Sequence, residues 1–124
     1  MNVLRDTHRA LVPGGFLLDF HPIAPPWPGV VAQGKALGDL RHEPFLDALR
    51  ATEGGMDELV RLGLLEHVGA REHDIAENYD EPGELLEEWG DSDWMSPEIV
   101  QRLRSTTGRI RVVERVVFHL YRTR

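Results

Sequence analysis

The chain contains no cysteine and a single lysine, Lys35. Without cysteine there is no disulfide framework, no thiolate metal site and no cysteine nucleophile. No apolar run approaches the roughly 18 to 20 residues needed to cross a bilayer, so no membrane partner is expected. The opening residues, Met1-Asn2-Val3-Leu4-Arg5-Asp6, are charged where a secretory signal needs its apolar core. A cytoplasmic protein is therefore the default expectation. The net charge of −7 suits phosphate backbones poorly, and no nucleic-acid partner is expected.

What remains is the composition of one globular domain spanning 1–124, with 41% hydrophobic and 28% charged residues. Charge is unevenly spread. Twelve of the 21 acids fall between Glu66 and Glu98, whereas from Arg102 onward there are seven arginines and one acid, Glu114. The simplest reading is that these two segments pack together and screen each other.

Local patterns divide the chain. Val3, Leu4, Thr7 and Leu11 recur at helical spacing, so residues 2–11 read as an amphipathic helix. In Pro13-Gly14-Gly15, proline fixes φ near −65° and glycine supplies a positive φ, the chemistry of a turn. The apolar run from Phe16 to Phe20 suits a buried parallel strand. Four prolines between residues 22 and 29 enforce a loop. Segments 30–32 and 35–37 around Gln33-Gly34 suggest a small hairpin. Apolar spacing from Phe45 to Val60 marks one long helix, or two joined at Gly54-Gly55. Residues 64–75 read as a strand. Pro82 and Pro97 stand where a first helical turn tolerates proline, with Ser96 placed as a cap. From Arg109 to Tyr121 the even positions are apolar and the odd ones partly so, which predicts an interior strand.

This order, with "LRDTHRALVPGGFLLDFHP" at its start and "RIRVVERVVFHLYRTR" at its end, resembles the C-terminal half of a class I S-adenosylmethionine-dependent methyltransferase. Its sharpest motif is Leu11-Val12-Pro13-Gly14-Gly15 between helix and strand. The resemblance implies an α/β fold: a partial Rossmann-like methyltransferase sheet of about three main, mixed strands with helices on both faces. The terminal strand would be antiparallel and central, between 16–20 and 64–75. It implies S-adenosylmethionine as cofactor and a small-molecule methyl acceptor. The family's first four strands and its glycine-rich cofactor loop have no counterpart here, so the isolated chain is expected to bind no cofactor and to be inactive alone. No catalytic or cofactor-binding residue is assigned. Catalysis would need an N-terminal-half partner pairing along the Phe16 to Phe20 strand edge; the alternative is a non-catalytic binding or dimerisation module, a homodimer through the same edge. The start of the helix at Met1 is what loss of that half would produce.

Candidate chemistry is sparse. His21 would sit just past the carboxyl end of a strand, where open α/β sheets bind ligands; it either borders a substrate pocket, as the methyltransferase resemblance implies, or makes a loop-ordering hydrogen bond before Pro22. Trp27, in the proline-rich loop, either lines that pocket or plugs a core edge. His67 and His73 lack the i, i+4 spacing of a helical metal site, so no metal is assigned. Ser92, Ser96 and Ser105 have no nucleophile-elbow context.

Overall fold

The computed structural model describes residues 13–124. The helix expected over 2–11, and Leu11-Val12 of the motif, lie outside the described residues. The elements are β1 (Phe16–Pro22), β2 (Gly29–Ala32), β3 (Lys35–Asp39), α1 (Glu43–Arg61), β4 (Leu65–Tyr79), α2 (Pro82–Trp89), α3 (Pro97–Arg104) and β5 (Ile110–Thr123). Their local causes are those the sequence displays. Gly14 adopts φ +79° in the turn before β1, and Gln33 and Gly34, at φ +53° and +77°, close the β2–β3 hairpin. Ser96 accepts a hydrogen bond from the Ile99 amide at 3.3 Å, capping α3.

The segment 43–61 is one helix, not two. It runs through Gly54-Gly55 because Leu49, Met56 and Leu59 form a single buried stripe, which outweighs glycine's cost of about 1 kcal/mol per site. It stops at Gly63, whose φ of +74° sets a paired cap. The Leu64 amide donates to the Leu59 carbonyl, and the Gly63 amide donates to that of Val60.

All five strands join one sheet, and β5 is its centre. On one side β5 pairs with β1 and then β2, which carries β3; on the other it pairs with β4. β2 is antiparallel to both β3 and β5. The Thr123 amide donates to Gly15 and the Ile23 amide to Arg115, so β1 also runs antiparallel to β5. This corrects the expected architecture. β5 separates β1 from β4, so no two co-directional strands are neighbours, and the sheet is antiparallel with five strands rather than mixed with three. It is not a Rossmann-like sheet covered by helices on both faces. What the sheet retains of that expectation is the terminal strand, antiparallel and central, with β1 and β4 as neighbours.

The charge segregation is resolved within the β4–β5 pair. Asp74 receives Arg115 at 3.0 Å, and Glu66 lies 3.7 Å from Arg124. The guanidinium of Arg115 holds the Asp74 carboxyl below its usual range, chiefly through the hydrogen bond. Such exposed pairs contribute little stability, and their effect here is to favour one register.

The chain resolves into two compact units. In the first, α1 lays Met56 and Leu59 against Leu65 of β4, Tyr121 of β5 and Leu17 of β1. This covers the odd-numbered side chains of β1. The even-numbered ones are bare: Phe16, Leu18 and Phe20 are 56%, 62% and 50% exposed. Phe20 rests on Phe118 at 4.6 Å between ring centroids, and the Arg122 guanidinium lies 5.4 Å from the Phe16 ring. An apolar run therefore does not mean burial on both sides here. The second unit has its own core, in which α2 and α3 bring Leu85, Ile99 and Leu103 against Val30, Leu37 and Ile110. Gly38, at φ +145°, allows the closest approach, since a Cβ there would meet the Ile99 side chain at 3.0 Å.

Candidate functional site

His21 does lie at a cleft, in the first unit. Period-two alternation puts Asp19 and His21 on the same face of β1, and His21 Nδ1 lies 2.8 Å from Asp19 Oδ2. β5 contributes His119 and Tyr121. From α1 come Glu53, Met56 and Asp57, which the i, i+3, i+4 relation places on one helical face. Together these seven residues line a cavity of about 260 Å³.

A carboxylate only accepts hydrogen bonds, so Nδ1 of His21 is the donor in the Asp19 contact, and in the neutral ring Nε2 carries the lone pair. Nε2 is buried without a hydrogen-bond partner. Among the described residues, Glu53 Oε1 lies 3.7 Å from it. The His21 side chain is 14% exposed. Its ring stacks against His119 at 6.0 Å, and His119 Nδ1 lies 3.0 Å from Nε2 of His67 on β4. Tyr121 is buried between these groups, and its hydroxyl pKa is pushed up to about 12. Burial is the main cause, and the carboxylates of Asp19, Asp57 and Glu53 add to it. The phenol therefore stays protonated at neutral pH, in a cleft whose potential is negative.

No protein-family model, curated protein or solved structure matches this chain. The site is therefore judged on its own geometry. Among the described residues no group of three or more His, Asp or Glu could hold a metal ion. Nor do the described residues fit S-adenosylmethionine, since no glycine-rich loop joins a strand to a helix. Gly14 and Gly34 serve turns, Gly63 ends α1, and Gly54-Gly55 lie inside it.

Trp27, the second residue assigned to the substrate pocket, is placed elsewhere. It belongs to the second unit, where it is buried with its ring edge-on to Trp94 at 6.0 Å, and the Arg41 guanidinium lies 5.6 Å above it. It is a core plug and does not line the cleft that holds His21. That unit has a cavity of about 240 Å³ bordered by Trp89, Glu77 and Glu114. Burial and the neighbouring Glu77 carboxylate raise the Glu114 pKa. The sequence singles out His21 but not Glu53, Asp57, His119 and Tyr121, which line the same cleft. The available signal was the Glu53, Met56, Asp57 spacing, in which two acids flank a buried methionine.

Proposed function

We propose that this chain forms the acceptor-binding portion of an S-adenosylmethionine-dependent small-molecule methyltransferase, completed by a further polypeptide that carries the glycine-rich cofactor loop. The observation that carries this reading is an edge of β1 that no strand among the described residues pairs. The contacts of Gly15 with Thr123 and of Ile23 with Arg115 direct the odd-numbered backbone groups toward β5. The amides and carbonyls of Phe16, Leu18 and Phe20 therefore point to the other edge. Among the described residues no strand pairs there. Three amide–carbonyl sets that no described strand pairs, beside three exposed apolar side chains, form a template for another strand, a condition native sheets normally avoid. The central position of β5 and the Pro13-Gly14-Gly15 turn into β1 support the same reading.

Calorimetric titration with S-adenosylhomocysteine tests it in two arms. The 124-residue chain alone is expected to give no heat beyond dilution. The same chain, co-purified with the polypeptide that it retains from its own cell extract through the β1 edge, is expected to bind with 1:1 stoichiometry. Tight binding by the 124-residue chain alone, or none by the assembled pair, overturns the proposal.

The same edge supports a second reading, a non-catalytic module that dimerises through β1. Its two-fold axis would pass through Leu18, matching Phe16 of one copy with Phe20 of the other. A defined dimer together with no response to S-adenosylhomocysteine in either arm selects it.

A further inference from the structure

We propose that the strand completing the β1 edge alternates apolar and basic side chains, apolar opposite Phe16, Leu18 and Phe20 and basic opposite Asp19 and His21. This deepens the reading of that edge as a template for another strand and rests on it, but on no part of the methyl-transfer reading.

Register sets what the added strand meets. Phe20 faces Phe118 and Phe16 faces Arg122 across the β1–β5 ladder, which puts Leu18 opposite Leu120. Residues opposite one another share a face, so side chains of the added strand opposite Phe16, Leu18 and Phe20 extend an apolar face. A charge set against Leu18 there would lose water without gaining a partner.

The alternate positions differ. Asp19 and His21 stand on the α1 side of β1, where α1 adds Glu53 and Asp57. After burial, the carboxylates of Asp19, Asp57 and Glu53 are what push the Tyr121 pKa up, so their negative potential is uncompensated. Among the described residues no arginine or lysine pairs with any of the three, and Arg50, one turn before Glu53, lies 4.0 Å from Asp47. Opposed Cβ atoms across a ladder are about 5 Å apart, and the long stems of lysine and arginine carry their charge from there to these acids. A second copy of the chain fits less well. Paired through Leu18, two copies would match their apolar residues but set both groups of carboxylates on one side of the joined sheet, on chains of net charge −7. A basic strand therefore displaces self-pairing.

The test uses the full 124-residue chain and a synthetic peptide of the length of β1 that alternates valine with lysine. Its counterparts alternate valine with glutamate, or hold the valine–lysine composition in two blocks. Amide chemical-shift titration is expected to saturate with the valine–lysine alternation alone. Hydrogen exchange is expected to slow at the amides of Phe16, Leu18 and Phe20, which point to the open edge. Asp19→Asn and Glu53→Gln are each expected to weaken binding about ten-fold, the loss of one charge-assisted hydrogen bond, and Leu18→Lys by at least as much. Leu18 and Glu53 are exposed, so those two variants are expected to fold. Glu81→Gln, which removes the same charge at the start of α2, is expected to leave the affinity unchanged. Equal binding of either counterpart, slowed exchange at other amides instead, an undiminished affinity in Glu53→Gln, or a defined dimer that the peptide does not disperse overturns the assignment. Binding of S-adenosylhomocysteine by the assembled pair without peptide binding would retain the methyl-transfer reading and lose this one. The reverse result would retain this one, so the two proposals fail separately.

Discussion

Replacing Leu18 by lysine separates the edge of β1 from the stability of the fold. Leu18 keeps less than two fifths of its surface from water. Full burial of a leucine side chain is worth about 1.5–3 kcal/mol, so the folded state loses at most about 0.6–1.1 kcal/mol, and the lysine stem recovers part of that. By contrast, Leu103→Ala in the core of the second unit, where Leu103 is 0% exposed, should cost about 2–5 kcal/mol. The edge itself should respond strongly. Light scattering of the purified wild type is expected to show mass rising with concentration, as bare edges pair with one another, while Leu18→Lys stays monomeric. Urea unfolding of the same samples supplies the stability comparison. A wild type that remains monomeric at high concentration would refute the inference of an open edge. A loss above about 2 kcal/mol in Leu18→Lys would refute the inference that this side chain is uncovered.

Three further outcomes concern single positions. Gly38→Ala forces a Cβ onto a backbone at φ +145° and against Ile99, and urea unfolding should register a loss of about 1–3 kcal/mol or more. Glu114 has a raised folded-state pKa, so it binds its proton more tightly folded than unfolded; that contribution is complete below the unfolded value and is lost as pH rises through the folded one. Glu114→Gln should therefore melt above the wild type near neutrality, with the difference shrinking below about pH 4; an equal or lower melting temperature at neutral pH would count against a destabilising carboxylate there. Ser96→Ala removes the acceptor for the Ile99 amide and should cost about 0.5–2 kcal/mol by urea unfolding.

Much of the element pattern was legible because its causes are local. Gln33-Gly34 sets a turn, Gly63 stops α1, and Ser96-Pro97 starts α3, each through neighbours a few residues away. Of the cleft only His21 was legible, because it follows the apolar run 16–20 near the end of β1. Its companions Glu53, Asp57, His119 and Tyr121 lie 32 to 100 residues further along the chain, and only the pairing of β1 with β5 and the docking of α1 bring them together. Trp27 shows the opposite failure, since a loop tryptophan reads equally well as pocket wall or core plug until its neighbours are known.

Residue by residue, the sequence determined where the chain turns, where α1 stops and α3 starts, and that Phe16, Leu18 and Phe20 would fall on one face of β1, since propensity, capping and periodicity act over a few bonds. Strand order, strand direction and the bare face of Phe16, Leu18 and Phe20 were decided only in three dimensions. Hydrophobicity states that a surface is better covered. Whether the same chain covers it depends on which side α1 packs and on β5 lying between β1 and β4, and those are contacts between residues far apart in sequence.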